Sequence, residues 1–267
     1  MANSIQSQVN TVCYNKQGCP FTYNDDGIRD KHNNILYKVT FQSGYITYVQ
    51  ANKITTGTIT DYMSPSVYGF GCPDYPGAAL EPEYYQWLKM ISRCYDKKYL
   101  EKYPSYKECS VASEWAHYRA FKRDLPNICN YQQSQIYSNG DRLVVDKDIL
   151  IYSNKIYSPS TCCIVPEPVN IFITNNKSDN TSGYIGVHKR KNGKYSVNFS
   201  YNNKTVYGGT YDTARQAVQA YYFEKSKCLD SLIARYPWID DKVKVGLANY
   251  LYLQNKSQIE KATKQPR

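Results

Sequence analysis

A short segment of the sequence, VDKDIL, contains two aspartates, Asp146 and Asp148, separated by one residue. Carboxylate oxygens are preferred ligands of Mg²⁺ in proteins, so the pair predicts a site for Mg²⁺ or Mn²⁺. In a strand, alternation would place both carboxylates on one face and Lys147 on the other. The alternative is a solvated hairpin on a degenerate scaffold, retained for binding or folding. The segment has no histidine to accept a proton; the three in the chain are His32, His117 and His188.

A second segment, from Tyr184 to Tyr211, is strongly basic. It contains no Asp or Glu, and its five cationic residues are Lys189, Arg190, Lys191, Lys194 and Lys204. Apolar and polar residues alternate along it, as in strands with one buried face. Alternation assigns to the buried face Ile185, Val187, Val197, Phe199 and Val206, and to the opposite face His188, Arg190, Asn198, Ser200, Thr205 and Tyr207.

A helix is expected to cover the buried face of this sheet. Apolar residues recur at helical spacing directly after the last strand, and Asp212 is the predicted N-cap. A sheet with a helix on one face and basic, hydrogen-bonding side chains on the other is suited to a polyanion, so the segment predicts nucleic-acid binding. The alternative is a solvated β-meander packed on a helix.

The pattern GYIGV, NGKY and GGTYDTARQA resembles the AP2 domain. The resemblance implies a three-stranded sheet on one helix, with the sheet in the major groove of double-stranded DNA. Of the matching contact positions, only Arg190 keeps the usual residue, so the resemblance implies the fold without a sequence preference. Arg190 and Asn198 suit guanine and adenine edges, while lysines suit phosphates. The matching positions are His188, Arg190, Asn192, Asn198, Ser200, Thr205 and Tyr207.

The composition of the 267-residue chain agrees with a polyanionic partner. Lys and Arg number 33 against 23 Asp and Glu, which gives a formal net charge of +10 and a pI near 9.0. The 29 tyrosines suit interfaces and base stacking. An AT-rich genome would give a similar composition without any such role.

The nine cysteines contain no CxxC pair. We expect reduced thiols, mostly in the core, and no structural zinc. The N-terminal residues lack the apolar core of a signal peptide, and no apolar run approaches the length of a membrane span. The sequence therefore predicts a cytoplasmic protein with no membrane partner.

An ordered set of short motifs between residues 84 and 170 resembles a group of phage-encoded HNH-type endonucleases. The motifs are YQWLKMISRCYD, YPSYKECSVASEW, VDKDIL, NK and YSPSTCCIVP. The resemblance implies that the hairpin around VDKDIL holds a divalent metal that stabilises charge during phosphodiester hydrolysis. Asp146 and Asp148 would be its ligands, and Lys147 or Lys155 would neutralise a phosphate.

HNH chemistry also needs a neutral histidine as general base and an asparagine that orients it. The resemblance gives the asparagine role to Asn154. The candidate for the missing base is His117, on a predicted helix, and the alternative is a surface or packing histidine. Proteins of this kind also occur with an AP2-like domain behind the HNH-like region, which is the order found here.

The expected fold class is α+β in four parts. Residues 1–75 form a small β module with a turn at 24–27 and strands from 36 to 71, and residues 76–175 form a degenerate HNH-like ββα region with helices at 83–97 and 112–124. Residues 176–235 form the AP2-like sheet and helix, and residues 236–267 form a C-terminal helix with a frayed tail.

The function expected from these features is double-stranded DNA binding by a protein of the phage HNH homing-endonuclease type, with hydrolysis dependent on Mg²⁺ or Mn²⁺ if the degenerate site is active. One alternative is a catalytically inactive DNA-binding regulator or structural protein. A weaker alternative is an interaction protein that binds RNA or an acidic protein. The phage resemblance places the protein in the cytoplasm of an infected bacterial host.

Overall fold

The computed structural model describes residues 11–137, 140–174, 182–202 and 204–264. The chain has an α+β fold, as predicted, with helices and several small sheets. It divides into two compact units. Unit 1 comprises residues 1–107 and 111–123, and unit 2 comprises residues 108–110 and 124–267. The predicted boundary after residue 75 falls inside unit 1, and those after 175 and 235 fall inside unit 2.

Unit 1 begins with a four-stranded antiparallel sheet. Phe21, Val39 and Phe41 form its buried face together with Ile54 of the following helix. A hairpin joins its third and fourth strands at residues 42–44, where the N–H of Gly44 donates to the carbonyl of Phe41 over 3.0 Å. In sheet order, the strands are β1 Cys13–Tyr14, β2 Pro20–Arg29, β3 Ile35–Phe41 and β4 Ile46–Val49, and the helix is α1 Ala51–Thr56.

Two local predictions in this sheet are wrong. Residues 24–27 lie within β2 instead of forming a turn; they fall where the pairing with β3 is interrupted between Asp25 and Arg29. The segment after β4 begins with helix α1 instead of a strand. Helical backbone buries Ile54 against the sheet, and Gly57 ends the helix with a left-handed φ of 62°.

Three more α-helices follow in the described part of unit 1, and the first and last of them pack on the buried tryptophans Trp87 and Trp115. Their bounds are α2 Tyr84–Tyr95, α3 Lys97–Lys102 and α4 Tyr118–Asp124. The first of them lies within the helix predicted at 83–97, and it buries Trp87, Met90, Ile91 and Cys94.

The helix predicted over 112–124 is interrupted at His117, which is extended. The cause is pairing with Cys72. The N–H of Cys72 donates to the carbonyl of Ala116 over 2.8 Å, and its carbonyl accepts from the N–H of Tyr118 over 3.0 Å. These two tertiary hydrogen bonds replace helical ones, so the chain makes a 3₁₀ turn at Ser113–Ala116 and enters α4 only afterwards.

Unit 2 contains the predicted strand–turn–strand. Strand β6 (Leu143–Asp146) pairs antiparallel with β8 (Cys163–Pro166), and Asp146 stands opposite Cys163. Helix α6 (Glu167–Thr174) follows directly. The shorter elements in this part of the chain are β5 Ser110–Val111, α5 Tyr131–Tyr137 and β7 Ile156–Tyr157.

The basic segment forms a three-stranded antiparallel sheet followed by a helix, as predicted. The elements are β9 Val187–Lys189, β10 Tyr195–Tyr201, β11 Lys204–Tyr211, α7 Ala214–Ala234 and α8 Asp241–Lys264. The strands lie in the order β11-β10-β9. Val187 and Val197 are buried with Val218 of α7, and the same core includes Val165 of the hairpin and Leu247 of α8. One apolar core therefore joins the sheet, the hairpin and the last helix.

The ends of the last two helices differ from expectation. Thr213, not Asp212, is the N-cap of α7: its side chain accepts from the N–H of Gln216, whose own side chain accepts from the N–H of Thr213. The segment expected to fray continues α8 to Lys264, because its side chains reach the loop before β9. Lys261 donates to the carbonyl of Gly183 over 2.7 Å, and Gln258 accepts from the N–H of Ile185 over 3.3 Å.

All nine cysteines are free thiols, and those at 72, 94, 109, 162 and 163 are buried. This agrees with the prediction of reduced cysteines, most of them in the core. Within the described ranges, no helix combines the length and the apolar character needed to cross a membrane.

Candidate nucleic-acid interface

The strand register places the predicted polar side chains on one face of the three-stranded sheet. Directly opposed residues of an antiparallel pair share a face. Asn198 is opposed by Tyr207 and Ser200 by Thr205, while His188 and Thr210 both stand opposite Ser196. We call this surface the polar sheet face and define it as His188, Asn198, Ser200, Thr205, Tyr207 and Thr210. All of these are exposed except Asn198, which is half-buried.

The opposite face of the sheet packs on α7. Val187 and Val197 are fully buried there, and Phe199 meets the ring of Tyr221 edge-on with 5.3 Å between ring centroids. Val206 is half-buried and does not belong to this core cluster. A helix on one face leaves the polar sheet face as the surface of the sheet that can meet a partner.

Lys189 lies on the helix side of the sheet, although it was predicted to bind DNA. It stands opposite Tyr195, and its ammonium lies 5.9 Å from the centroid of that ring. Since it is two residues from buried Val187, its side chain leaves β9 on the same side as Val187. Lys189 is nevertheless exposed at the edge of the sheet.

The turn between β9 and β10 carries three of the five cationic residues of the basic segment. The N–H of Arg190 donates to the carbonyl of Lys194 over 2.8 Å, and Gly193 takes a φ of 82°. The N–H of Lys194 also donates to the side chain of Asn192 over 3.2 Å. All five residues of the turn, including Lys191, are exposed. A tight turn thus displays three cations beside the polar sheet face.

Lys194 has an acidic partner that the basic segment itself lacks. Its ammonium lies 3.0 Å from a carboxylate oxygen of Asp212, which follows β11. Both side chains are largely exposed, so the pair contributes little to stability. The pair places a negative charge beside the basic turn. Asp212 can take this role because Thr213, and not Asp212, caps α7.

The turn between β10 and β11 is a second basic point. Lys204 is exposed at the start of β11. Arg235, at the end of α7, donates to the side-chain oxygen of Asn202 over 3.3 Å. Sequence reasoning missed Arg235 because it lies outside the basic segment, and no residue spacing places the end of α7 beside this turn.

The aspartates of the hairpin have structural partners. Asp146 is buried, and its Oδ1 accepts from the N–H of Asp148 over 2.8 Å and from the N–H of Ile149 over 2.9 Å. These bonds hold the turn after β6. Burial, together with the nearby Asp148 carboxylate, raises the pKa of Asp146 to about 7. Lys147 is not on the opposite face as predicted, because the chain turns after Asp146; its ammonium lies 3.0 Å from an Asp148 oxygen.

Asn154 fastens the same loop from its other end. Its Nδ2 donates to the carbonyls of Lys147 and Ile156, at 2.7 Å each, and its Oδ1 accepts from the N–H of Ile156 over 3.3 Å. Lys155 forms a long ion pair of 3.7 Å with Glu108. Asp146 and Lys147 are both buried, so the segment is not solvated as the alternative expected, while the hydrogen bonds of Asp146 and Asn154 agree with its role in folding.

The donor set at this loop does not fit a Mg²⁺ or Mn²⁺ ion. One carboxylate oxygen, Oδ1 of Asp148, is buried without a hydrogen-bond partner. Against this, Oδ1 of Asp146 already accepts two N–H groups, and the Lys147 ammonium occupies the cation position beside Asp148. The described residues contain no group of three or more His, Cys, Asp or Glu side chains able to hold a metal.

His117 belongs to unit 1, whereas Asp146 and Asp148 belong to unit 2. Its Nδ1 lies 2.6 Å from Oδ1 of Asp74, a buried residue with a positive φ of 69°. The other oxygen of Asp74 accepts from the N–H of Arg119 over 2.7 Å. The carboxylate therefore fixes the orientation of an imidazole that stays partly exposed.

Comparison of the chain with family models, with curated proteins and with solved structures gives no match. The similarity to AP2 and HNH proteins therefore remains a resemblance of residue patterns. The features that bear on function are the geometry, exposure and charge of the three-stranded sheet and of the hairpin loop.

Proposed function

We propose that this chain binds double-stranded DNA through the polar sheet face and the two basic turns beside it. The observation that carries the proposal is the register of β9, β10 and β11, which gives one sheet a buried apolar face and an exposed hydrogen-bonding face. Basic turns stand beside the exposed face, at Arg190–Lys191 and at Lys204. Such a surface complements a polyanion that offers hydrogen-bonding groups.

Two kinds of contact follow from the side chains. Lys191, Lys204 and Arg235 suit phosphates, which orient a protein without specifying sequence. Arg190 and Asn198 can each form paired hydrogen bonds, with guanine and adenine edges respectively. Asn198 is half-buried, so its contribution requires close approach of the sheet to the base edges.

We propose further that the hairpin loop is a structural element and that the chain is a DNA-binding protein without hydrolysis at this loop. The unpartnered Oδ1 of Asp148 is the one feature that favours metal-dependent hydrolysis, and it makes that activity the second candidate. Because Asp146 closes the loop and Lys147 neutralises Asp148, the first candidate is better supported.

The proposal is tested by DNA binding of the Arg190→Gln, Lys191→Gln double variant. We expect affinity for a short duplex to fall, and the slope of log K against log salt to decrease by about 1 for each phosphate that the variant no longer neutralises. A matched control removes two exposed lysines of α8, with Lys242→Gln and Lys256→Gln, and so has the same net charge. Equal binding by both variants and the wild type would contradict the proposed face.

The partner class and the second candidate are tested with the wild type. Tighter binding to RNA or to an acidic protein than to duplex DNA would replace the proposed partner. Nicking of supercoiled plasmid with Mg²⁺ or Mn²⁺ is not expected. Nicking that disappears in Asp146→Asn and in Asp148→Asn would establish hydrolysis at the loop and overturn its structural assignment.

A further inference from the structure

Unit 1 carries a second basic surface, on α2, α3 and the turn that follows α3. Residues 85–107 contain six Lys or Arg against only Asp96 and Glu101. Tyrosines alternate with the cations along this segment. We define the tyrosine–lysine surface as a set of exposed and half-buried residues: Arg93, Lys97, Lys98, Tyr99, Lys102, Tyr103 and Tyr106.

The three tyrosines of this surface form one cluster. The ring centroid of Tyr99 lies 4.6 Å from that of Tyr103 and 5.6 Å from that of Tyr106. Cations lie over the outer rings: Lys102 is 5.3 Å from the centroid of Tyr103, and Arg93 is 5.9 Å from that of Tyr106. The rings therefore hold the cationic side chains, and each ring is already in contact with another ring or a cation.

The lysines of this surface are not neutralised by carboxylates. Within the described ranges of the chain, Lys97, Lys98 and Lys102 form no ion pair, although other exposed lysines such as Lys122 do. The nearby carboxylate of Asp96 is engaged as the N-cap of α3, where it accepts from the N–H of Lys98 over 3.0 Å. The surface therefore keeps a concentrated positive charge.

We propose that the tyrosine–lysine surface is a second contact for the sugar–phosphate backbone of double-stranded DNA. The inference rests on the proposed function only in that the partner is the same. Lysines that form no ion pair are suited to contact phosphates, and tyrosine hydroxyls also contact them. Base stacking, the usual role of tyrosine in single-strand binding, is disfavoured because the rings of Tyr99, Tyr103 and Tyr106 already contact one another or a cation.

The test is a triple variant, Lys97→Gln, Lys98→Gln and Lys102→Gln, compared with a control, Lys16→Gln, Lys31→Gln and Lys53→Gln. All six lysines are exposed and lie in unit 1. Each variant loses three positive charges, so the two variants have equal net charge. Binding to a short duplex and to a single strand of the same length is measured by fluorescence anisotropy between about 50 and 200 mM salt. Circular dichroism and thermal unfolding verify that both variants fold.

We expect the triple variant to bind duplex at least about tenfold more weakly than the control, with a salt slope smaller by about 2 to 3. Equal binding by the two variants would overturn the second contact, while weakened binding by the Arg190→Gln, Lys191→Gln variant would leave the polar sheet face in place. A loss confined to the single strand would show that these lysines contact single-stranded nucleic acid, and it would also overturn the proposal. A wild type that binds no duplex would remove both proposals together.

Discussion

At the scale of single residues, the surroundings of Asp146 distinguish a metal-binding role of its carboxylate from a structural role in the loop. A carboxylate that accepts two buried N–H groups acts as an acceptor for the loop, and this role does not need a negative charge. Its pKa, raised to about 7 by burial and by Asp148, means that the charge itself is unfavourable in the folded state. Asparagine offers the same acceptor without the charge, whereas alanine offers neither.

The first prediction follows from this difference. The folded state binds the Asp146 proton more tightly than the unfolded state, so the contribution of this group to stability falls as pH rises from about 4 to about 7. Asp146→Asn should therefore match the wild type near pH 4 and exceed its free energy of unfolding by about 1 kcal/mol or more at pH 8. Asp146→Ala should lose about 1–3 kcal/mol at both pH values, because two N–H groups lose their acceptor.

Denaturant unfolding at the two pH values measures both variants. An Asp146→Asn protein that is less stable than the wild type at pH 8 would show that the ionised carboxylate has a favourable partner. The backbone N–H groups of Asp148 and Ile149 would then favour the ionised carboxylate by more than burial and Asp148 disfavour it, and the predicted gain from removing the charge would be wrong.

At the scale of elements, the approach of the three-stranded sheet to α7 depends on Gly186. Its φ is 68°, and a Cβ at this position would lie 2.1 Å from a ring carbon of Tyr221. Only glycine therefore permits the chain to enter β9 this close to the helix. The second glycine of the GYIGV motif is thus explained by a close backbone approach beneath the sheet.

The second prediction compares two glycines with similar backbone. Gly186→Ala should cost about 3 kcal/mol or more, since it combines a disfavoured φ with a clash against a buried ring. Gly193→Ala, at a φ of 82° with no atom within 4 Å, should cost only about 1–2 kcal/mol. Thermal unfolding of both variants provides the measurement. Equal losses of stability in the Gly186→Ala and Gly193→Ala variants would mean that the ring of Tyr221 moves aside at little energetic cost.

Local sequence patterns predicted the elements of this sheet but not all of their details. Alternation identified Val187 and Val197 as buried because side-chain direction in a strand has a period of two. It assigned the helix cap to Asp212 and not to Thr213, and this was wrong, since both residue types cap helices and only the backbone at the end of β11 decides. The break at His117 was equally hidden, because its cause is Cys72, far away in sequence.

The candidate site likewise has some features that the sequence predicts and others that depend on tertiary contacts. The face predicted from residue alternation agrees with the register for His188, Asn198, Ser200, Thr205 and Tyr207. Arg190, assigned to the same face, lies instead in the turn after β9. The burial of Asp146 and Lys147 could not be predicted, because a DKD sequence is typical of a solvated turn. Partners brought by the fold, such as Asp212 for Lys194 and Asn202 for Arg235, depend on tertiary contacts that no spacing in the sequence encodes.

At the scale of the whole molecule, the core of unit 2 determines which parts of the chain can fold alone. The buried residues of the sheet and α7, such as Val197 and Val218, share one core with Val165 of the hairpin and with Val243 and Leu247 of α8. Each buried Val or Leu contributes about 1.5–3 kcal/mol. A fragment without the hairpin and α8 would expose one side of this core to water.

The last prediction therefore concerns two fragments. Residues 176–235, the predicted AP2-like part, should not show a cooperative unfolding transition, because they lack the apolar packing against Val165 and Leu247 and form too small a core alone. Residues 124–267, the continuous part of unit 2, should unfold cooperatively and should still bind duplex DNA through the polar sheet face. Their affinity should fall below that of the whole chain by the contribution of the tyrosine–lysine surface. Calorimetry and anisotropy measure the two properties separately. Cooperative unfolding of residues 176–235 would show that the sheet and α7 form an independent domain, to which the rest of unit 2 is only attached.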